Sequence, residues 1–382
     1  MKTLQIGMDW FPDKQRGGLE RFFYDFTTHL PQEGVETVSL VTGPAAVMQS
    51  SQGTVQAFAP REASILSRVT GVRQCAQQLL RSQEFSLYAS HFVLYTFPIL
   101  KQLQDRPLVM HFHGPWSLES VVESRKSLDI WFRRYMEQSV YTQSTRFIVL
   151  SQAFKDILHQ RYEVPLEKIH IVPGAVDIER FESTLTPAQA REKLGWSQNR
   201  PIVFTARRLS TRMGLDNLVE AMHTIVQKHP DVLLLIAGKG DQQPILTAQI
   251  SALGLDKNIT LLGYLSDQEL ALAYRAATFS VIPTATLEGF GLVVLESLAA
   301  GTPMMGTPIG GIPETLRPFC EDLVFDGAQS HHIASGMIEA LSGDRQLPSS
   351  AVCEAHVKEN YTWPVITRRI IDIYQTVLDQ KS

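Results

Sequence analysis

The segment around residues 288–296 combines residue types that bind phosphate and sugar groups. Glu288 is followed by Gly-Phe-Gly-Leu and then by an apolar helical pattern that carries Glu296. Small residues at a helix start leave the first backbone N–H groups open, and the helix dipole adds positive charge, so a diphosphate can bind there. Carboxylates accept hydrogen bonds from sugar hydroxyls. A ligand with a sugar, a diphosphate and a ribose in a row could therefore contact Glu288, the helix start and Glu296 in that order.

A second group of candidate residues is the pair of imidazoles in His111-Phe112-His113. Side chains alternate along a strand, so both imidazoles lie on the same face. A metal ion would need further ligands that the sequence does not identify. Hydrogen bonding is therefore the favoured role of both histidines, with metal binding as the alternative.

These groups lie in a chain that alternates short strands with longer helical patterns. The strand candidates of the second half are apolar throughout, which is typical of parallel strands covered by helices on both faces. The pattern predicts two successive doubly wound α/β domains. The predicted strands are Leu4–Met8, Val35–Val41, Leu108–His113, Phe147–Leu150, Ile169–Val172, Ile202–Ala206, Val232–Ala237, Ile259–Leu262 and Phe279–Ile282.

The boundary between the two domains is expected near Ile178–Asn199, a polar segment that contains Pro187 and ends just before a new strand. We expect a first domain of residues 1–180 together with about 365–382, and a second domain of residues 181–364. The predicted helices include Arg21–Leu30, a helix to Tyr162 with Ser151 as its N-cap, Gly214–His229, a helix from about Phe290 to Gly301, and Val365–Asp379.

The composition excludes several classes of protein. With 35 Lys and Arg against 39 Asp and Glu, the net charge of the 382 residues is −4, which argues against a dedicated nucleic-acid binder. The three cysteines are far apart, so neither a disulfide framework nor a thiolate metal cluster is expected. No signal peptide is expected, and the longest apolar run, Val232–Ala237, is too short to span a bilayer. A cytoplasmic protein is expected, with attachment to the inner face of a membrane left open.

Two common nucleotide-binding motifs are missing from the sequence. The dehydrogenase fingerprint G-x-G-x-x-G does not follow the first strand of either domain, and Gly238-Lys239-Gly240 is followed by Gln243 where a third glycine would stand. The P-loop pattern G-x-x-x-x-G-K-[ST] does not occur either. Both a dehydrogenase and a P-loop phosphotransferase are therefore disfavoured.

The spacing of the two glutamates, with seven residues between them, resembles the E-x7-E motif of the retaining family 4 glycosyltransferases. Other matches follow in the order of that family and cover roughly residues 6–315 and the last helix. The segments that carry the resemblance are Gly17-Gly18-Leu19-Glu20, His113-Gly114, Val172-Pro173-Gly174-Ala175-Val176-Asp177, Arg207-Arg208-Leu209, Ala237-Gly238-Lys239-Gly240 and Gly310-Gly311-Ile312-Pro313-Glu314.

The resemblance implies a fold and a reaction. The fold is GT-B, in which two Rossmann-like domains face each other across a cleft and the C-terminal helix crosses back to the first domain. The reaction moves a hexose-type sugar from a nucleotide diphosphate sugar to an acceptor hydroxyl with the anomeric configuration kept. Family frequency makes UDP the first choice of nucleotide and GDP the second, and neither a cofactor nor a metal ion is expected.

The resemblance also implies a role for each candidate residue. The leaving diphosphate is the charge that such a site must stabilise. Arg208 and Arg212 would neutralise its β-phosphate, Glu288 would hold sugar hydroxyls and Glu296 the ribose. His113 would contact the transferred sugar near its C6 hydroxyl. The remaining donor-binding candidates are Gly17, Gly18, Gly238, Phe290, Gly291 and Leu292.

Two positions depart from the family pattern. The family commonly has Lys directly before the glycine of its basic motif, but here Met213 precedes Gly214, and Arg212 could supply the charge instead. Because Arg and Lys differ in reach and geometry, this substitution is not conservative. Ala175 stands where the family usually has Asn, which weakens only that match.

The acceptor side is described less clearly by the sequence. The segment from Arg125 to Tyr135 has a basic and aromatic helical pattern that could lie on an anionic membrane or present a lipid-linked acceptor. The favoured interpretation is an ordinary covering helix with Trp131 and Phe132 in the core. The acceptor is expected to be a sugar, a lipid-linked molecule or a small molecule, with weak peripheral membrane contact as an alternative.

Three other functions remain open at this point. A GT-B epimerase would act on the same sugar nucleotide, and a phosphorylase would need a cofactor lysine that no segment announces. A non-catalytic sensor of sugar nucleotides is disfavoured because Glu288, Glu296 and the arginines are all retained. The glycosyltransferase is the leading hypothesis.

Overall fold

The computed structural model describes residues 1–11, 17–122 and 126–380. The chain divides into two compact units, one of Met1–Gly174 with Trp363–Ser382 and one of Ala175–Thr362. Residues 175–180 thus lie in the second unit, whereas the sequence placed them in the first domain. The reason is local pairing, since Val176 forms an isolated parallel bridge with Thr362 and its N–H donates to the Tyr361 carbonyl at 2.9 Å.

The first unit contains a seven-stranded sheet in the order β3-β2-β1-β4-β5-β6-β7, and its strand pairs are parallel. Its central strands are buried along their whole length, as expected for a sheet with helices on both faces. The strands are β1 Lys2–Asp9, β2 Glu36–Thr42, β3 Val55–Ala59, β4 Leu87–Ser90, β5 Leu108–Phe112, β6 Arg146–Val149 and β7 Ile169–Ile171.

Helices of the first unit cover this sheet. The N-cap that the sequence predicts at Ser151 is confirmed, because its hydroxyl accepts a hydrogen bond from the Phe154 N–H at 3.2 Å. The helices are α1 Gly18–His29, α2 Val47–Ser50, α3 Ile65–Ser82, α4 Val93–Thr96, α5 Trp116–Val122, α6 Ser127–Gln143 and α7 Gln152–Tyr162, together with the C-terminal α16 Trp363–Asp379.

The C-terminal helix α16 packs against α1, as the family resemblance implies. The Trp363 ring lies 5.2 Å from the Phe22 ring and is stacked on the His29 ring at 5.5 Å. Further along the helix, the Tyr374 hydroxyl is 2.6 Å from His111 Nε2 on β5. Helix α16 therefore forms part of the core of the first unit.

The second unit contains a five-stranded sheet in the order β10-β9-β8-β11-β12, again with parallel pairs. Its strands are β8 Ile202–Ala206, β9 Leu233–Ala237, β10 Ile259–Gly263, β11 Phe279–Ile282 and β12 Met304–Gly306. Its helices are α8 Pro187–Leu194, α9 Leu215–Lys228, α10 Gln243–Ala252, α11 Asp267–Ala276, α12 Leu292–Ala299, α13 Ile312–Leu316, α14 Ser330–Ser342 and α15 Ser350–Asn360. The prediction of two doubly wound α/β domains is confirmed.

The sequence predicts a covering helix over residues 125–135 with Trp131 and Phe132 in the core, and this placement of the two aromatic side chains is wrong. The segment is helical, as part of α6, but the side chains of Trp131 and Phe132 are 65% and 48% exposed. The core face of α6 is formed by residues further along, namely Met136, Val140 and Tyr141. Arg125, the first residue of the basic pattern, lies outside the described residues.

In the described part of the chain, no helix combines the length and the apolar character needed to cross a bilayer.

Glycines shape two turns that follow strands of the second sheet. Gly238, after β9, has a φ of +132°, and a Cβ there would lie 1.9 Å from the Arg207 carbonyl oxygen. Gly310 has a φ of +58°, and a Cβ there would lie 1.8 Å from the Glu288 carbonyl oxygen. Both positions therefore require glycine, because any side chain would displace the backbone that carries Arg207 or Glu288.

Gly238→Ala should destabilise the second unit markedly more than Gly254→Ala does. Both glycines have positive φ, but a Cβ at Gly254 (φ +67°) meets nothing within 4 Å, so that variant has only the conformational cost of about 1–2 kcal/mol. Gly238→Ala adds a backbone clash. Thermal unfolding of the two variants tests this, and equal losses would show that the Gly238 turn can relax.

Candidate active site

The helix start that the sequence proposes as a phosphate site lies after β11. Helix α12 begins at Leu292, with Gly291 as its N-cap at a φ of +80°. A Cβ on Gly291 would lie 2.9 Å from Ile282 Cδ1, so the backbone here fits closely over the sheet. Backbone N–H groups in the first turn of a helix have no intrahelical acceptor, which leaves them available to an anion.

Beside this helix start, Glu288 forms an ion pair with Arg207 at the end of β8. The side chains are only 13% and 8% exposed, respectively. Thr284 Oγ1 donates to Glu288 Oε2 at 3.2 Å and accepts a hydrogen bond from Arg207 Nη2 at 3.0 Å. The same Nη2 lies 2.8 Å from Met213 Sδ. Arg207 thus holds Glu288 in one orientation.

The charge of Arg207 keeps Glu288 ionised. Burial alone would raise the pKa of the Glu288 carboxyl, but the Arg207 charge and hydrogen bond, with a contribution from Arg212, lower it below the ordinary value. A carboxylate in this state can only accept hydrogen bonds, which suits it to bind hydroxyl groups of a ligand.

Arg212 supports the loop that carries Glu288. Its Nη1 donates to the Leu287 carbonyl at 2.9 Å, and its own carbonyl accepts from the Ala285 N–H at 2.9 Å. Leu287 has a φ of +53°, a region that non-glycine residues seldom adopt. The structure therefore brings Arg212 to the loop backbone in addition to placing its charge near Glu288.

Arg208 differs from its neighbour Arg207. It is exposed, and its side chain forms no hydrogen bond or ion pair with other residues in the described part of the chain. An exposed guanidinium is available to an anionic ligand, so Arg208 stays a candidate for phosphate contact. Sequence reasoning quoted Arg207 within the basic motif but gave it no role, since two adjacent arginines do not show which one is buried.

The other candidates of the second unit surround this site. Glu296 on α12 accepts a hydrogen bond from the Tyr274 hydroxyl at 3.3 Å. The Phe290 side chain is buried and its ring lies 6.1 Å from that of Tyr361. The N–H of Gly311 donates to the Glu288 carbonyl at 3.0 Å, so the Gly-Gly turn fixes the backbone of Glu288.

The candidates of the first unit lie at strand ends of its sheet. Gly17 is the N-cap of α1 with a φ of 82°, and Gly18 is the first residue of that helix. His113 directly follows β5, and its Nε2 is 3.2 Å from Nδ1 of His91, which follows β4. Sequence reasoning missed His91, because an isolated histidine 22 positions away gives no spacing signal.

The histidines His91, His111 and His113 form a cluster whose ring nitrogens lie within 4.8 Å of one another. Burial lowers the pKa of each imidazole, to about 3 for His113. The rings of His91 and His111 are stacked, with centroids 4.1 Å apart and an interplanar angle of 20°. A metal ion lies close to the plane of each imidazole that binds it, so this stacking favours hydrogen bonding over a shared ion.

Arg207→Met should destabilise the protein, whereas Arg208→Met should leave its stability within about 0.5 kcal/mol of the parent. The first change leaves the Glu288 carboxylate buried without its partner, at a cost of about 3 kcal/mol. Because the pKa of Glu288 is lowered in the folded protein, this stabilisation is present at neutral pH and is lost as the pH falls into the range where Glu288 protonates. The difference in stability between the parent and Arg207→Met should therefore shrink in acid.

Thermal unfolding from neutral to acidic pH measures this difference. Arg207→Met combined with Glu288→Gln is the control, since it removes both charges and should recover part of the loss. If the single variant is as stable as the parent at neutral pH, the ion pair does not hold the loop.

Comparison with known proteins places the chain in a family. Residues 188–356 match the family described as glycosyl transferases group 1, and residues 16–180 match the one described as glycosyltransferase family 4. A GDP-mannose-dependent monoacylated alpha-(1-6)-phosphatidylinositol monomannoside mannosyltransferase of Corynebacterium glutamicum is 32% identical over 215 residues, 54% of this chain and 55% of that protein. A D-inositol 3-phosphate glycosyltransferase of Corynebacterium urealyticum is 25% identical over 359 residues, 90% of this chain and 82% of that protein.

Solved structures show the same fold. A sucrose-phosphate synthase from Thermosynechococcus elongatus superimposes with a TM-score of 0.80 at 18% identity, over 100% of both chains. Anabaena HepE in complex with UDP-glucose superimposes with a TM-score of 0.78 at 20% identity, over 98% of this chain and 100% of that one. With both halves of the chain matched, the protein belongs to the family 4, group 1 glycosyltransferases and has the GT-B fold.

Proposed function

We propose that this glycosyltransferase takes a hexose-type sugar from a nucleotide diphosphate sugar and transfers it to an acceptor hydroxyl with retention of configuration. The observation that carries the proposal is the buried Arg207–Glu288 pair beside the open start of helix α12. This arrangement places an ionised carboxylate next to backbone N–H groups. A sugar and a diphosphate joined to each other need these two kinds of partner side by side.

The diphosphate binds at the start of α12 and to the arginines of the basic motif. The backbone N–H groups around Phe290, Gly291 and Leu292 point toward an anion at this helix end, where the dipole adds attraction. Arg208, which is exposed and has no other partner among the described residues, contributes a guanidinium, and Arg212 contributes a second charge nearby. Glu296 accepts hydrogen bonds from the ribose.

The chemical step is departure of the nucleoside diphosphate from an oxocarbenium-like sugar. Groups that stabilise the charge on the leaving phosphate supply the largest part of such catalysis. The arginines and backbone N–H groups do this here, so the proposal requires no metal ion. The acceptor hydroxyl then attacks the same face that the diphosphate leaves and gives its proton to the departing phosphate oxygen. The anomeric configuration is kept, while Glu288 holds the sugar hydroxyls.

UDP is the first choice for the nucleotide and GDP the second. HepE, a structural neighbour over nearly the whole chain, was solved in complex with UDP-glucose. The Corynebacterium glutamicum relative is GDP-mannose-dependent by its description, but the alignment covers only about half of either chain. We place UDP before GDP because the match to HepE covers nearly the whole chain, whereas the match to the Corynebacterium glutamicum relative covers about half of it.

We also propose that one surface of the first unit binds the membrane from which the acceptor reaches the enzyme. Leu128, Trp131, Phe132 and Tyr135 are exposed by 84%, 65%, 48% and 51%, and their spacing places them on one stripe of α6. Lys126 and Arg134 are exposed on the same helix and its cap. An exposed apolar stripe with flanking basic residues fits the interface of an anionic bilayer.

Arg208→Met should reduce sugar transfer about 10²–10³-fold, the range for loss of one group that stabilises the leaving charge, without loss of stability.

Glu296→Gln should weaken binding of the donor more than it lowers turnover at saturation. Thermal-shift measurements with UDP, GDP, ADP and their common sugars identify the donor, since a ligand at about 100 times its Kd adds about 2.7 kcal/mol.

The same assays in the presence of EDTA test metal independence, and a loss of activity that Mg²⁺ or Mn²⁺ restores would contradict it. Donor incubated without acceptor distinguishes an epimerase, which would form a stoichiometric epimer and release no nucleotide. Binding without any turnover would point to a sensor. A product with inverted anomeric configuration would disprove retention and leave the rest of the proposal intact.

Leu128→Ser with Trp131→Ser should lower binding to phosphatidylglycerol vesicles at least about tenfold, because two large apolar side chains no longer leave water. Raised salt should weaken binding of the parent as well, since basic residues contribute to it. Co-sedimentation measures both effects. Ile245→Ser, which changes an exposed apolar side chain of the second unit, is the matched control. Failure of the parent to bind at low salt would remove the membrane from the proposal.

A further inference from the structure

A chain of hydrogen bonds runs through the first sheet and ends at His113, the candidate sugar contact of the first unit. It crosses from the end of β5 to the start of β2 through side chains that are almost all buried. The successive bonds are His113 Nε2 to His91 Nδ1 at 3.2 Å, His91 Nε2 to Gln5 Oε1 at 3.0 Å, Gln5 Nε2 to Thr3 Oγ1 at 3.0 Å, Thr3 Oγ1 to Thr37 Oγ1 at 3.3 Å and Thr37 Oγ1 to the Val35 carbonyl at 3.3 Å.

The far end of this chain fixes the direction of every bond in it. A carbonyl oxygen can only accept, so the hydroxyl proton of Thr37 points to Val35. Thr37 Oγ1 then accepts from Thr3, and Thr3 in turn must accept from Gln5. The amide nitrogen of Gln5 therefore faces Thr3, and the amide oxygen of Gln5 faces His91.

Helix α16 supports the same orientation of the Gln5 amide. Burial raises the pKa of Tyr374, and a hydrogen bond from Gln5 opposes this rise, as expected when the amide donates an N–H to the hydroxyl. The Tyr374 hydroxyl is also 2.6 Å from His111 Nε2. Because the proton of Thr3 is directed to Thr37, the reverse orientation would leave the amide oxygen of Gln5 facing Thr3 without a donor.

The orientation of Gln5 decides the tautomers of two histidines. The amide oxygen accepts, so the proton of His91 is on Nε2 and its Nδ1 is an acceptor. His113 must then donate from Nε2, and its own Nδ1 carries a lone pair. Both imidazoles are neutral at physiological pH, since burial and the neighbouring imidazoles hold their pKa values far below the ordinary range.

The Nδ1 atom of His113 is open to a ligand. It makes no hydrogen bond with any residue in the described part of the chain, and His113 is partly exposed, unlike His91 and His111. The edge-on contact with the Phe22 ring, 5.0 Å between centroids, holds the imidazole plane. An acceptor with fixed direction is therefore presented at the surface of the first unit.

We propose that the chain from Val35 to His91 makes His113 Nδ1 an obligate hydrogen-bond acceptor, which selects a donor sugar with a hydroxyl group at the contacting position over one with a carboxylate. This inference rests on the proposed function together with the role that the family resemblance implies for His113, which is contact with the transferred sugar. A hydroxyl gives its proton to Nδ1, whereas a carboxylate has none to give and its lone pairs would face that of the nitrogen. A deoxy sugar would leave Nδ1 without a partner.

Gln5 and His91 are positioning residues under this proposal, since they contact no substrate. They act through the tautomer of His113. A site built to pair with a hydroxyl rejects analogues that lack it, here by about 100-fold or more in kcat/KM for a hexose over the matching uronate. A purely structural role of Gln5 would change stability and leave this ratio unaltered.

The tautomer is measured directly by long-range ¹H–¹⁵N correlation spectra of the protein labelled with ¹⁵N-histidine, with His113→Asn used to assign the signals. We expect neutral His113 with its proton on Nε2 at pH 7, without any donor present. A proton on Nδ1, or a charged imidazole at pH 7, would overturn the proposal whatever the activity of the enzyme.

Gln5→Met tests the link between the chain and selectivity. It removes the acceptor for His91, so His113 should populate both tautomers and the preference for UDP-glucose over UDP-glucuronate in kcat/KM should fall at least about tenfold. Ser39→Ala is the matched control, because the Ser39 hydroxyl is buried on β2 and has no hydrogen-bond partner among the residues that the structure describes. It should change neither the spectrum nor the ratio.

If Gln5→Met does not fold, measurements on the parent protein still test the proposal. Equal use of UDP-glucose and UDP-glucuronate by the parent would overturn the selectivity. Absence of turnover with every sugar nucleotide would instead overturn the proposed function, while the spectrum would still decide the tautomer.

Discussion

The ion pair between Arg207 and Glu288 is the interaction on which the second unit's site depends. A buried carboxylate is costly unless a positive charge and hydrogen bonds compensate for it, and here one guanidinium and one hydroxyl do so. The pair connects the end of β8 with the loop after β11, two strands that are neighbours in the sheet. The Gly238 and Gly310 turns lie directly against the backbone of its two members, so local geometry and charge support each other.

In both units the candidate residues follow the carboxyl ends of parallel strands. His91 and His113 follow the neighbouring strands β4 and β5, as Arg207 and Glu288 follow β8 and β11. A parallel sheet brings these ends to one edge, where the chain leaves the ladder and side chains can converge. The two units thus use one principle for different chemistry. One gathers neutral imidazoles with fixed protons, and the other gathers opposite charges.

Sequence patterns predicted the parallel α/β plan because apolar strand runs and helix caps are local signals. They missed β3, β4 and β12, whose segments contain Ala, Ser or Gly and at most one β-branched residue each. At the candidate site, motif spacing named Glu288 and Arg208, but the identity of the buried arginine depends on the direction of the chain after β8. The partners of His113 lie on other strands, so only the folded sheet shows them. Exposure of Trp131 was also unpredictable, since an aromatic helical stripe fits a core equally well.

The return of helix α16 to the first unit has a consequence for how the protein is made. The second unit is continuous in the chain, from Ala175 to Thr362, and can fold as soon as it leaves the ribosome. The first unit is synthesised earlier but lacks Trp363 and Tyr374 until the whole second unit has been synthesised. The residues of α16 that pack on α1 thus become available to the first unit only after the second unit has been synthesised.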